Sequence, residues 1–200
     1  MSAFRERLAA YIKEQAKPVD KFGHQPRLYA LAVEVGAGQV YDDDVLYAAA
    51  WTHDLGVFVG HRPEDPEALA RWNNVTYALE KTPGALRAVG FPEEKIPAVL
   101  EAIRTHQPHA QPTTPEAIIL RDADILEQLG AVGTLRGVCK IGRDTRFPTF
   151  TSVIEALRQA LRTLPGQIKL ESTRALAEPK LRIMRQFLAA VQEEGRDALH

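Results

Sequence analysis

Histidine and aspartate side chains at separated places in the sequence form a candidate binding set for one divalent metal ion. His24 stands alone, and His53 and Asp54 are adjacent in "AAAWTHDLGVFVGH". Neutral imidazole nitrogens combined with carboxylate oxygens suit Mn, Fe, Ni, Mg or catalytic Zn, and they differ from the thiolates of structural zinc sites. An HD dipeptide is common by chance, so the prediction depends on whether the rest of the chain supplies partners.

The segment "IILRDADILEQLG" supplies two further carboxylates, Asp122 and Asp124. The apolar residues around them are numerous enough to bury much of this helix, where a carboxylate is costly unless it is paired or binds a metal. Residues two apart point about 200° away from each other in a helix of 3.6 residues per turn. The two aspartates therefore cannot occupy the same coordination position, and the spacing does not select between them.

Other ionisable residues have the chemistry that cleavage of a phosphate ester needs. Histidine titrates near neutral pH, so His106 or His61 could protonate a leaving oxygen. Arginine binds phosphate in a forked geometry, and lysine binds it as a point charge. The candidates to hold a substrate phosphate are Arg104, Arg136, Lys140 and Arg143.

The elements that must position these residues are predicted to be helices, because apolar residues recur at helical spacing in nearly every segment. No alternating strand pattern of useful length occurs, and we expect one all-α domain over residues 1–200. Its core is expected at about 20–140, with C-terminal helices in 150–194 packed on it. The predicted helices run from Phe4 to before Pro18, over 28–35, over 42–55, from Pro66 to about Thr82, over 92–107 with a kink or restart at Pro97, over 114–130, around 153–161, and from near Pro179 onward.

Charge and hydropathy exclude two classes of partner. The formal net charge is -1 with no extended basic block, which argues against a nucleic-acid polymer. No window approaches the roughly 18 uninterrupted apolar residues of a membrane span, and the charged N-terminus lacks the apolar core of a signal peptide. We therefore expect a cytoplasmic protein with no membrane partner, and a homodimer is left open.

The order of these residues resembles the HD-domain superfamily of metal-dependent phosphohydrolases, whose pattern is H…HD…D on a helical bundle. The similarity is greatest to the small stand-alone HD hydrolases of bacteria, whose two characteristic segments match "AIRTHQ" and "DADILEQLGAVGTLR" here. It covers roughly residues 20–140. One departure is "HQPRLY", which replaces the family's usual HDxxH after the first ligand, so Gln25 and Pro26 supply no acid or base.

The resemblance implies specific roles for several residues. It makes His24, His53, Asp54 and Asp124 the ligands of one divalent ion (Mn, Ni, Mg, Fe or Zn). It leaves Asp122 to support a ligand without contacting the ion, and it places His106 near the metal, where it could contact a substrate phosphate. Arg136 matches the arginine of the second segment. The candidate catalytic residues are Asp54, His106 and His61.

The function that this reading favours is hydrolysis of a phosphate ester or anhydride in a small metabolite, with a nucleotide as the candidate substrate. The alternative is a regulatory HD-domain protein that binds metal or nucleotide without turnover. A di-iron oxygenase is a third class, but its second iron would need further ligands. Only His106, His61 and Asp122 are spare for that purpose.

Overall fold

The chain consists of helices and connecting turns throughout the residues that the computed structural model describes, which are 3–142, 144, 146–196 and 198. The all-α prediction is confirmed, since these described residues contain no strand and only an isolated bridge between Val59 and Arg62. Short 3-10 turns occupy Val19–Lys21, Leu55–Val57, Glu93–Lys95 and Pro165–Gln167. The α-helices are α1 (Ala3–Gln15), α2 (His24–Val35), α3 (Asp43–Thr52), α4 (Pro66–Ala70), α5 (Asn74–Ala88), α6 (Ile96–Thr105), α7 (Pro115–Glu127), α8 (Gly130–Val138), α9 (Phe150–Thr163) and α10 (Glu171–Gly195).

Two compact units divide the chain inside α7, between Ala123 and Asp124. The first unit contains α1 to α6 and most of α7. The second contains the last turn of α7 followed by α8, α9 and α10, and these three helices pack on one another. The expectation of a single domain over residues 1–200 stays a prediction.

The first unit is built around α3. Asp42 caps this helix by accepting hydrogen bonds from the backbone N–H groups of Asp44 and Val45, as acidic residues at a helix start do. Every residue from 45 to 52 is buried, including the three alanines at 48–50. Small side chains let neighbouring helices approach closely, and α1, α2, α5 and α6 all pack against α3.

A partly buried ion-pair network joins α1 to the start of α3. The guanidinium of Arg5 donates to Asp44 Oδ1 at 2.6 Å, to Asp43 Oδ2 at 2.8 Å and to the Tyr29 hydroxyl at 3.0 Å. It also lies 4.7 Å from the ring centroid of Tyr47. Burial and the hydrogen bond to Asp43 raise the pKa of Tyr29 to about 12. These contacts hold the capped end of α3 in place.

The prediction of one helix from Pro66 to about Thr82 is wrong. Helix α4 ends at Ala70 and α5 begins at Asn74, because the Asn73 side chain accepts the N–H of Thr76 at 3.0 Å and so caps a new helix. Helix α5 then continues past Pro83 to Ala88. The break places residues 71–73 in an irregular turn.

Two other boundaries differ from expectation. The final helix does not begin near Pro179: α10 starts eight residues earlier, at Glu171, and passes through the proline. Gly130, expected only as a stop, has a φ of 76° and begins the unpredicted helix α8. The restart expected at Pro97 is confirmed, since Pro97 lies in the first turn of α6. Within the described residues, no helix combines the length and apolar character that crossing a membrane requires.

Candidate metal centre

The end of α3 orients the imidazole of His53. This residue caps the C-terminus of the helix, and its Nδ1–H donates to the carbonyl of Ala50 at 3.0 Å. That carbonyl belongs to the last turn, whose C=O groups have no partner within the helix. The hydrogen bond fixes the tautomer, so the Nε2 lone pair of His53 is the atom available to a metal.

The side chain of His24 lies next to that of His53. His24 is the first residue of α2 and is buried, and its Nε2 lies 3.3 Å from Nε2 of His53. The two rings are 5.2 Å apart between centroids. Two imidazole nitrogens that could bind one ion therefore approach each other from the start of α2 and the end of α3.

Carboxylates complete the donor set. Asp54 Oδ2 lies 3.6 Å from Nε2 of His24 and 3.5 Å from Nε2 of His53, and the side chain is 19% exposed. Asp124 lies on α7 and offers a carboxylate oxygen. Ligand atoms of His24, His53 and Asp124 all lie within 4.8 Å of one another.

The donor set fits a divalent cation. Metal–nitrogen and metal–oxygen bonds near 2.1 Å place adjacent donors about 3.0 to 3.4 Å apart, close to the 3.3, 3.5 and 3.6 Å separations around His24, His53 and Asp54. Two imidazoles with carboxylates also match the mixed nitrogen and oxygen chemistry expected from the sequence.

His106 repeats the arrangement of His53 at the end of α6. It caps that helix, is buried, and its Nδ1–H donates to the carbonyl of Ile103 at 2.6 Å. Its ring centroid is 5.1 Å from that of His53. A third imidazole thus stands beside the candidate ligands with its Nε2 as the remaining ring nitrogen.

A family model for the HD domain matches residues 22–129, which include all four predicted ligands. The chain belongs to the HD domain family. A comparison with curated proteins gives no significant match.

Solved structures are similar to this chain over nearly its whole length. Bacillus subtilis YpgQ is 21% identical, with a TM-score of 0.73 over 96% of this chain and 95% of that one. The same protein in complex with ADP is also 21% identical and gives 0.71 over 96% and 94%. An HD-superfamily hydrolase from Bacillus thuringiensis is 20% identical and gives 0.69 over 96% of both chains.

The structure places His61 in a different environment from the HD residues. Its Nδ1 lies 3.0 Å from the Tyr77 hydroxyl, and its Nε2 lies 2.8 Å from Gln15 Oε1. Burial, and then the nearby charge of Lys81, lower the pKa of His61 below 6.5. Both ring nitrogens therefore have hydrogen-bond partners that are not among the candidate metal ligands.

The predicted phosphate-binding cations have varied surroundings. Arg104 is exposed and pairs with Glu101 at 2.5 Å. Arg136 donates to the buried carboxylate of Glu127 at 3.0 Å, and Lys140 Nζ lies 5.5 Å from the ring centroid of Phe147. Arg143 lies outside the described residues. Their role as substrate ligands stays a prediction.

Helix α7 also carries buried ionisable residues, whereas Asp124 itself is only partly buried. Asp122 is fully buried, which agrees with a supporting place, although that role also stays a prediction. Sequence reasoning missed Arg121, which is 2% exposed and donates through Nη2 to the carbonyl of Pro108, two residues after His106. The available signal was an arginine inside an otherwise apolar helical stretch, where a charge needs a partner.

Proposed function

We propose that this HD-domain protein is a metal-dependent phosphohydrolase that cleaves a phosphate ester or anhydride of a small metabolite. The observation that carries the proposal is the convergence of His24, His53 and Asp124, with Asp54 Oδ2 within 3.6 Å of both imidazoles. We assign one divalent ion to these four residues.

A divalent cation bound there would lower the pKa of a water molecule and polarise a phosphoryl oxygen. The protein residues supply position and proton transfer, which is most of what phosphoryl transfer asks of an enzyme. His106 is the preferred proton donor, because its Nδ1–H is held by the carbonyl of Ile103 and Nε2 is therefore the ring nitrogen through which it would exchange a proton. His61 is a weaker candidate, because both of its nitrogens have other partners.

The nucleotide assignment rests on a neighbour. YpgQ, which shares the fold, has a structure in complex with ADP. We therefore propose nucleotides as the first substrates to test, with an aryl phosphate as a generic phosphomonoester. The products distinguish hydrolysis of an ester from hydrolysis of an anhydride.

A regulatory protein without turnover is the second candidate. The observation that favours it is the apolar sequence that follows the HD pair: Leu55, Gly56, Val57 and Phe58 offer no ionisable side chain. In that case the protein would bind metal and nucleotide without releasing phosphate.

The experiment combines metal content with phosphate release. The full chain is loaded with Mn, Ni, Mg, Fe or Zn, and ADP, ATP and p-nitrophenyl phosphate are assayed. We expect one ion per chain, and a loss of at least about 100-fold in turnover in Asp54→Ala and Asp124→Ala with unchanged helical content.

Asp65→Asn is the matched control, because Asp65 is an exposed capping residue of α4 and asparagine also caps helices. Full activity in Asp54→Ala and Asp124→Ala would refute the proposed site. Bound metal and bound ADP without product from any substrate would support the regulatory candidate.

A further inference from the structure

The turn after Asp54 is held by the irregular segment that separates α4 from α5. The indole Nε1–H of Trp72 donates to the carbonyl of Gly56 at 2.8 Å. We propose that Trp72 is a positioning residue, which through this hydrogen bond keeps the carboxylate of Asp54 in place for metal binding. The inference rests on the metal site proposed above and adds a residue that neither the motif nor the ligand cluster contains.

Gly56 is pressed against the start of α5. A Cβ on this residue would lie 2.6 Å from the carbonyl oxygen of Asn74 and 2.7 Å from its Cα. Backbone atoms cannot rotate away as the end of a side chain can. The turn therefore packs closely against the start of α5, and the Trp72 hydrogen bond holds it in that position.

The held turn is continuous with the candidate ligand. The N–H of Val57 donates to the carbonyl of Asp54 at 3.0 Å, which closes the 3-10 turn directly after the HD pair. Gly56 lies inside this closed turn, so a displacement of its carbonyl is transmitted to the backbone of Asp54. Loss of a group that hydrogen-bonds directly to a metal ligand weakens affinity by about 10- to 100-fold, and we expect the lower end of this range for a contact that acts through the backbone.

The same stretch of chain, residues 72–77, also holds the next part of the loop. The rings of Trp72 and Tyr77 are 5.2 Å apart between centroids, and the Tyr77 hydroxyl lies 3.0 Å from His61 Nδ1. Residues 56 and 61 are thus both tied to one short stretch of the chain. The Trp72 contact is the one nearer to Asp54.

The chain contains a matched control for this hydrogen bond. Trp51 is 6% exposed, and its indole N–H has no hydrogen-bond partner among the described residues. A Trp→Phe change at position 51 therefore removes ring volume without removing a hydrogen bond. The same change at position 72 removes the donor while an aromatic ring remains beside Tyr77.

The test measures Mn²⁺ affinity by titration calorimetry on the full chain, with thermal unfolding in parallel. For Trp72→Phe we expect Mn²⁺ affinity about tenfold weaker than wild type, with little change in Tm. For Trp51→Phe we expect the opposite pattern: a lower Tm from lost packing, and Mn²⁺ affinity within twofold of wild type.

Two results would overturn the inference alone: wild-type affinity in Trp72→Phe, or equal weakening in both variants. If the wild-type chain binds no Mn²⁺, Ni²⁺ or Zn²⁺, the metal site itself is wrong and the inference is overturned with it. The two failures are distinguishable because affinity is measured without reference to turnover.

Discussion

Replacing Gly56 with alanine tests how closely the turn after the HD pair packs on α5. The added Cβ would lie 2.6 Å from the Asn74 carbonyl oxygen, about 0.8 Å short of the 3.4 Å at which ordinary contact begins. The turn or the helix must move by a similar amount. Overpacking of this kind costs about 1 to 3 kcal/mol.

Urea unfolding gives the size of that cost. With a slope of about 2 kcal/mol per molar urea, we expect the midpoint of Gly56→Ala to fall by about 0.5 to 1.5 M. The same displacement strains the 2.8 Å hydrogen bond from Trp72 to the carbonyl of residue 56. We therefore also expect Mn²⁺ affinity to fall about tenfold, because Asp54 lies only two residues away.

Gly84→Ala is the control for this substitution. Gly84 lies inside α5, and a Cβ there meets nothing within 4 Å. Alanine at such a site raises stability by about 0.5 to 1 kcal/mol and leaves metal binding unchanged. An unchanged midpoint in Gly56→Ala would refute the close packing. A lower midpoint with wild-type Mn²⁺ affinity would refute the link from this turn to Asp54.

Three further predictions concern stability. The fold lowers the pKa of His61, so the neutral side chain contributes stability that is fully present above pH 6.5 and is lost as pH falls through the lowered pKa. The Tm of His61→Asn should therefore decrease less between pH 7 and pH 5 than the Tm of wild type. Arg5→Ala should lower the free energy of unfolding in urea by about 1 to 2 kcal/mol, because it removes the partner of two carboxylates, and this partner is only 15% exposed. The control Arg182→Ala, on the exposed face of α10, should change that free energy by no more than about 0.5 kcal/mol. Pro179→Ala should raise Tm with a gain of about 1 to 2 kcal/mol, since it restores an N–H inside α10; a lower Tm would mean that the proline stabilises the helix.

The helical class and most helices could be predicted from apolar spacing, because burial of one face dominates helix formation in a chain of this kind. The errors arose where local polar chemistry overrode that spacing. Asn73 offers a side-chain cap that starts a new helix within a continuous apolar pattern. Pro179 predicts a helix start, but a helix that gains enough from packing can contain an exposed proline.

The candidate site was less accessible to sequence reasoning. The spacing of Asp122 and Asp124 excluded a shared position but did not identify the ligand, and only the family resemblance favoured Asp124. The structure groups Asp124 with His24 and His53. These residues are far apart in sequence, so their spacing does not reveal the grouping. The support from Trp72 had no sequence signal, because it depends on the break between α4 and α5 and on a main-chain acceptor.

The main-chain acceptors of His53 and His106 have a consequence for how the centre tolerates change. Each ring takes its proton position from a carbonyl three residues earlier in its own helix, at Ala50 and Ile103. A carbonyl is present whatever amino acid occupies those positions. Substitutions of the two residues can therefore alter packing without deleting the carbonyl groups that decide which nitrogen of each imidazole carries the proton.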